Sequence, residues 1–100
     1  MKGRAESIMR DGEALRCYVC GSTELLELHH IFHGTANRRI SDKYGCVCFL
    51  CKYHHTGTYG VHGKYGHGLD LSLKRLCQSA WEDRFGDRTK FIEVFGRSYL

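Results

Sequence analysis

Leu26-Glu27-Leu28-His29-His30 alternates apolar and polar side chains and ends on two adjacent histidines. Alternation with a period of two predicts a strand with one buried face. Neighbouring strand residues point to opposite faces, so His29 and His30 have different tasks unless the strand ends between them. Upstream lies Cys17-Tyr18-Val19-Cys20-Gly21, and downstream lies Leu50-Cys51-Lys52-Tyr53-His54-His55. A Cys pair at this spacing can turn both sulfurs toward one ion, and Gly21 eases the sharp turn.

A second ligand pair closes a tetrahedral zinc site if the chain returns beside the first pair. Cys48-Phe49-Leu50-Cys51 would give four thiolates, and Cys51-Lys52-Tyr53-His54 would give three thiolates and one imidazole. The second closure is favoured, because Val47 and Phe49 read as strand residues and a knuckle forms more naturally at the turn after the strand. The expected zinc ligands are therefore Cys17, Cys20, Cys51 and His54. Cys46, Cys48 and Cys77 then read as small buried hydrophobes.

The chain has 100 residues, which argues for one domain spanning 1–100 and for a core modest enough to benefit from a structural metal. Six cysteines are too few for a disulfide scaffold, and no apolar run resembles a signal peptide or a membrane span. The expectation is a cytoplasmic protein with reduced thiols. A formal charge of +4 is compatible with a polyanionic partner but is also common on solvated surfaces.

Along the chain, Ala5, Ile8 and Met9 suggest one apolar turn, and Asp11-Gly12 a turn that ends it. Gly34 to Lys43 is polar and basic and reads as a loop leading to a second strand at Gly45 to Leu50. The stretch from Thr56 to Gly68 is too rich in glycine for a regular helix. Leu73, Leu76, Cys77, Ala80, Trp81 and Phe85 recur at helical spacing, with Asp70 or Ser72 as cap and Gly86 as stop. A last helix is expected from Thr89 to Phe95, with Phe91, Ile92 and Phe95 inward and Gly96 closing it. A hairpin followed by helices is an α+β order, and both C-terminal helices read as support for chemistry upstream.

Once the zinc ligands are assigned, His29, His30, His33, His55, His62 and His67 remain. Imidazole binds divalent metals and, with a pKa near neutrality, can act as a general base. The segment from Cys17 to His62 resembles the HNH nucleases, whose ββα-metal (His-Me finger) motif has a CxxC knuckle, a strand ending in His-His or Asp-His, a loop, and Leu-Cys-x-x-Cys/His-His opening a helix. The passage through Gly60-Val61-His62 and the Phe95-Gly96-Arg97-Ser98-Tyr99-Leu100 ending are also similar to small HNH-type proteins of tailed bacteriophages.

The resemblance implies that His29 and His55 bind a catalytic divalent ion (Mg2+ or Mn2+, alternatively Zn2+ or Ni2+) and that His30 deprotonates the attacking water. It implies DNA as substrate, 5′-phosphate and 3′-hydroxyl products, and a setting in which a second copy or phage packaging or recombination proteins are partners. Two features depart from the family pattern. The Asn that usually braces the general-base loop is missing: its place falls near Gly45-Cys46, Asn37 lies too early, and Tyr44 is the stand-in considered. A further ligand one turn after His55 would be Tyr59, a poor ligand, so His62 is the candidate for a third ligand.

Arg38, Arg39 and Lys43 would contact backbone phosphates with little sequence preference, and Lys64, Lys74 and Arg75 lie beyond the glycine-rich stretch. Gly57, Gly60 and Gly63 suit either close approach to phosphate or a mobile surface loop. His33 and His67 read as loop or surface residues. The competing reading is a non-catalytic zinc module that binds nucleic acid or protein through a degenerate HNH site. Zinc deaminases are excluded, because His-x-Glu and Pro-Cys-x-x-Cys are absent and the chain has no proline.

Overall fold

A computed structural model describes residues 7–100. Ala5 of the expected N-terminal turn lies outside them, whereas Met9 is buried and Ile8 packs against the core. The Ile8 N–H reaches the Gly45 carbonyl at 2.9 Å, so this arm is tied to the far end of the connection between the strands.

Among the described residues the architecture is α+β, with one two-stranded antiparallel sheet and helices around it. Strand β1 (Leu26–His30) pairs with β2 (Val47–Cys51), placing His30 opposite Val47, His29 opposite Cys48 and Leu26 opposite Cys51. The second strand starts two residues later than expected, because Gly45 is consumed by the preceding turn. All five residues of β2 are buried, which explains a continuous apolar run with no alternation. Cys48 is among them: burial pushes its thiol up to about 12, and it lies outside the cluster formed by Cys17, Cys20, Cys51 and His54.

The expected loop from Gly34 to Lys43 is instead helix α1 (Thr35–Tyr44). Gly45, at φ 75°, closes it in the left-handed conformation, with its N–H on the last-turn carbonyls. The helix carries few apolar residues, but Ile40 and Tyr44 pack against the core one turn apart. Between them Ser41 is fully buried, and its hydroxyl donates to the Phe32 carbonyl (2.9 Å) and accepts from the Phe32 N–H (3.2 Å). A polar helix is thus anchored by a satisfied buried hydroxyl, which has no hydropathy signal.

One turn of helix, α2 (Lys52–His55), follows β2 directly. The glycine-rich stretch after it is a series of linked turns, in which the N–H groups of Gly60, Gly63 and Gly66 bond the carbonyls of Gly57, Gly60 and Gly63 in succession. A Cβ at Gly63 would overlap the Gly57 carbonyl, and one at Gly66 the Gly60 carbonyl. These glycines permit backbone to pack on backbone, an outcome neither sequence reading of the segment anticipated.

Helix α3 (His67–Arg84) starts earlier than expected, at Gly66 and without a side-chain cap. Asp70 and Ser72 lie inside it. Leu73, Cys77 and Trp81 form its buried stripe, whereas Leu76 and Phe85 are 54% and 43% exposed and fall outside it. Helix α4 (Arg88–Phe95) is capped by Asp87, whose carboxylate accepts from the Lys90 N–H at 2.9 Å, and ends on Gly96 at φ 95°. Phe91 and Phe95 stack at 4.6 Å and pack on Phe32 and Trp81, but Ile92 faces outward at 40% exposure. Both helices support the sheet through this aromatic core. Among the described residues, no helix is long and apolar enough to cross a membrane.

Candidate metal centres

The knuckle is built by backbone first. The Cys17 N–H bonds the Ser22 carbonyl and the Gly21 N–H bonds the Cys17 carbonyl, both at 2.8 Å, with Gly21 at φ 81°. The Tyr18 N–H reaches the Phe49 carbonyl at 2.8 Å and pins the knuckle to β2. Cys51, the last strand residue, and His54, in the turn that follows, then come beside it.

Cys17, Cys20, Cys51 and His54 each offer a ligand atom, and these atoms all lie within 4.8 Å of one another. Cys20 Sγ is 3.8 Å from Cys51 Sγ, and His54 Nδ1 is 3.4 Å from Cys51 Sγ and 3.7 Å from Cys17 Sγ. Tetrahedral zinc with sulfur bonds of about 2.3 Å requires sulfur–sulfur edges of about 3.8 Å and slightly shorter nitrogen–sulfur edges. The cluster fits a structural metal such as zinc. Burial pushes the Cys17 thiol up, but N–H groups of Cys51, Cys20 and Val19 outweigh it and bring the thiol down to about 6, favouring thiolate.

On the other side of α2 a second cluster forms. The loop folds back so that the Val61 and His62 N–H groups bond the His54 and His55 carbonyls at 2.9 and 3.0 Å. His62 thereby sits beside His55, with ring centroids 5.0 Å apart, and His29 stands 5.2 and 5.3 Å from the two. One ligand nitrogen from each lies within 4.8 Å of the others. These three rings line an open cleft of about 410 Å³ together with His30, His33 and Arg38.

His29 is only 1% exposed, and its Nε2 is buried with no hydrogen-bond partner. The other such atom among the described residues, Trp81 Nε1, sits in the aromatic core and does not line the histidine cleft. Burial, reinforced by the neighbouring His55 and His62, lowers the His29 pKa to about 3, so the imidazole is neutral and suited to bind a cation. His62 is lowered too, chiefly by burial. His55 donates Nδ1–H to Glu27 Oε1 at 2.6 Å, which fixes its tautomer and leaves Nε2 as the ligand nitrogen.

His30 faces a different neighbour. Its Nε2–H donates to Asp42 Oδ1 at 2.9 Å, leaving the lone pair on Nδ1. Asp42 lies in α1, so the group that fixes the His30 ring comes from the segment expected to be a loop. Tyr44 does not reach His30: its ring packs among Trp81, Phe85 and Phe95.

The expected histidines His29, His30, His55 and His62 are all brought to one cleft, and His67 is exposed at the start of α3 as expected. His33 departs from expectation. It lines the cleft with its ring 4.9 Å from His62, and its Nε2–H donates to the buried Asp70 at 3.1 Å. Asp70 also holds Lys74 at 2.9 Å, and Arg75 donates to the Tyr99 carbonyl, so both cations serve the fold. Arg38, Arg39 and Lys43 are exposed on α1, and of these Arg38 lines the cleft. Tyr59 stacks on Tyr65 at 5.4 Å and is not part of the cluster.

Glu27, Asp42 and Asp70 were missed in the sequence. Only Glu27 had a signal, since it shares strand parity with His29; Asp42 and Asp70 depend on α1 and α3 packing across the cleft. No family model matches the chain, and no curated protein or solved structure matches it either.

Proposed function

We propose that this protein is a metal-dependent endonuclease of the HNH type that hydrolyses DNA phosphodiester bonds, with a zinc-stabilised ββα-metal core. The reading is carried by the buried, partnerless His29 Nε2 inside a cluster of three imidazoles. A buried polar atom without a partner costs about 1–3 kcal/mol, a cost that a shared cation would remove. A cation held by His29, His55 and His62 would supply Lewis-acid stabilisation of charge developing on the phosphate and the leaving oxygen.

The chain's own groups account for the rest. His30 accepts the proton of the attacking water at Nδ1, while Asp42 holds the ring in that tautomer and stabilises the imidazolium that results. Glu27 orients His55, and the buried walls around His29 keep that imidazole neutral and available. Exposed Arg38, Arg39 and Lys43 on α1 contact backbone phosphates without reading bases. Three imidazoles with no carboxylate among them suit Mn2+, Ni2+ or Zn2+ better than Mg2+, which prefers oxygen ligands.

The test is cleavage of supercoiled plasmid by zinc-loaded protein with each of these ions, beside His30→Ala prepared identically. Cutting by the parent that falls at least about 10²-fold in the variant, with zinc content and melting temperature retained, supports the reading. A folded, zinc-loaded parent that binds DNA and does not cut with any ion transfers the assignment to a non-catalytic zinc module.

A further inference from the structure

The start of α1 opens into the histidine cleft. Gly34 and Thr35 line it together with Arg38, one turn further along the same helix. Gly34 is the N-cap at φ 100° and ψ 156°, no side chain caps the helix, and its first turn has no acidic residue. A ten-residue helix left bare in this way presents unsatisfied N–H groups and the positive end of its dipole.

A bare helix end alone defines no site. Here a second, independent feature points at the same space: His29, 1% exposed, lines this cleft, and its buried Nε2 has no partner. The cleft thus offers amide donors on one wall, an orphaned imidazole nitrogen on another and an exposed guanidinium at the rim. Gly34 suits this geometry, since its backbone conformation is one that L side chains rarely adopt and it leaves the helix end unobstructed.

From this convergence we infer that the N-terminal turn of α1, with Arg38, is a phosphate clamp that seats a nucleic-acid backbone phosphodiester against the histidine cluster. The inference rests on the nuclease reading for the identity of the ligand and deepens it by naming what holds the reacting phosphate. The Thr35 and Ala36 N–H groups and the Arg38 guanidinium donate to the nonbridging oxygens, as helix starts do for anions generally. Held in this way, the phosphorus is open to in-line attack by water from the His30 side, with the scissile bridging bond directed away from His30.

The experiment follows backbone amide resonances of isotope-labelled, zinc-loaded protein during titration with inorganic phosphate and, separately, with a thymidine dinucleotide carrying one phosphodiester. The expected result is a shift centred on Thr35 and Ala36 with both probes. Arg38→Gln should weaken binding about tenfold, as expected for loss of a charge-assisted contact. Thr35→Pro removes one donor at a position where proline suits a helix start, and should weaken binding about fivefold.

Shifts elsewhere, or an affinity for both probes unchanged in Arg38→Gln, would overturn the clamp. Binding of inorganic phosphate with none of the dinucleotide would overturn it as a backbone site and indicate a monoester ligand. Plasmid cleavage run in parallel separates the two readings. Undiminished cutting by Arg38→Gln with no shift at Thr35 sinks the clamp and leaves the nuclease standing. A clear clamp in a protein that never cuts does the reverse.

Discussion

The two clusters flank one helical turn, one of three thiols and an imidazole and the other of three imidazoles, and their surroundings suit them to different tasks. The Cys17, Cys20, Cys51, His54 cluster is dense, rich in thiol and spaced at tetrahedral edges, with Cys17 and Cys51 buried. It suits a metal that stays bound and closes the chain. The His29, His55, His62 cluster is built of imidazoles alone, opens onto a cleft and includes an unsatisfied nitrogen. Such a site suits an ion that must also meet substrate. Adjacent residues divide between the two: His54 serves the closed site and His55 the open one. The sheet makes a similar division, with His29 in the cluster and His30 paired to Asp42.

The comparison breaks most visibly if one ligand is removed from each side. Cys51→Ser should unfold the chain at room temperature, because binding of a structural zinc contributes on the order of 10 kcal/mol and small domains have about 5–15 kcal/mol in total. His55→Ala should keep the fold and the first zinc while losing the second ion. Circular dichroism and metal stoichiometry of the two variants distinguish these outcomes, and equal loss of structure in both would erase the contrast.

Asp42→Ala probes the division between His29 and His30. Plasmid cleavage should fall about 10²-fold with metal content unchanged, since the tautomer and orientation of His30 are lost and no ligand is touched. A fall in metal content would move Asp42 to the metal side.

Acid sharpens the difference through His29. Its folded pKa lies near 3, below the unfolded value of about 6.5, so between these limits the unfolded chain binds the extra proton. The contribution is complete above about 6.5 and is lost as pH falls toward 3, by up to about 1 kcal/mol per pH unit. Urea unfolding of the protein without the cleft ion should show this slope, and His29→Asn should lack it. The smallest effect belongs to Glu27→Gln, which should weaken ion binding in the cleft about tenfold by loosening His55, with zinc at the knuckle unaffected. Competition with a metal indicator dye reads both sites.

The knuckle was legible in the sequence because its ligands lie in short segments whose spacing alone aims them, and Cys48 could be set aside from the strand pattern. β1, the centre of the α3 stripe and the last helix, expected from Thr89 to Phe95 with Gly96 closing it, were legible for the same local reason, although the Asp87 cap was not. Helix α1 was not, because its stability comes from Ser41 bonded to Phe32 and from two apolar anchors, a pairing no local pattern expresses. Leu76, Phe85 and Ile92 were misplaced because helical periodicity identifies an apolar stripe but not its edges, which are set by where the neighbouring elements stop.

For the site, the sequence by itself determined which residue types were present and that the paired histidines had to divide their tasks, since strand parity and ligand chemistry follow from local bonding. Tertiary structure alone decided their partners. Glu27 meets His55 across 28 positions, Asp70 meets His33 across 37, and Asp42 reaches His30 only because the segment between the strands coils into a helix. Orientation of an imidazole is set by the group on its other nitrogen, and that group is chosen by packing between distant segments rather than by neighbours in the chain.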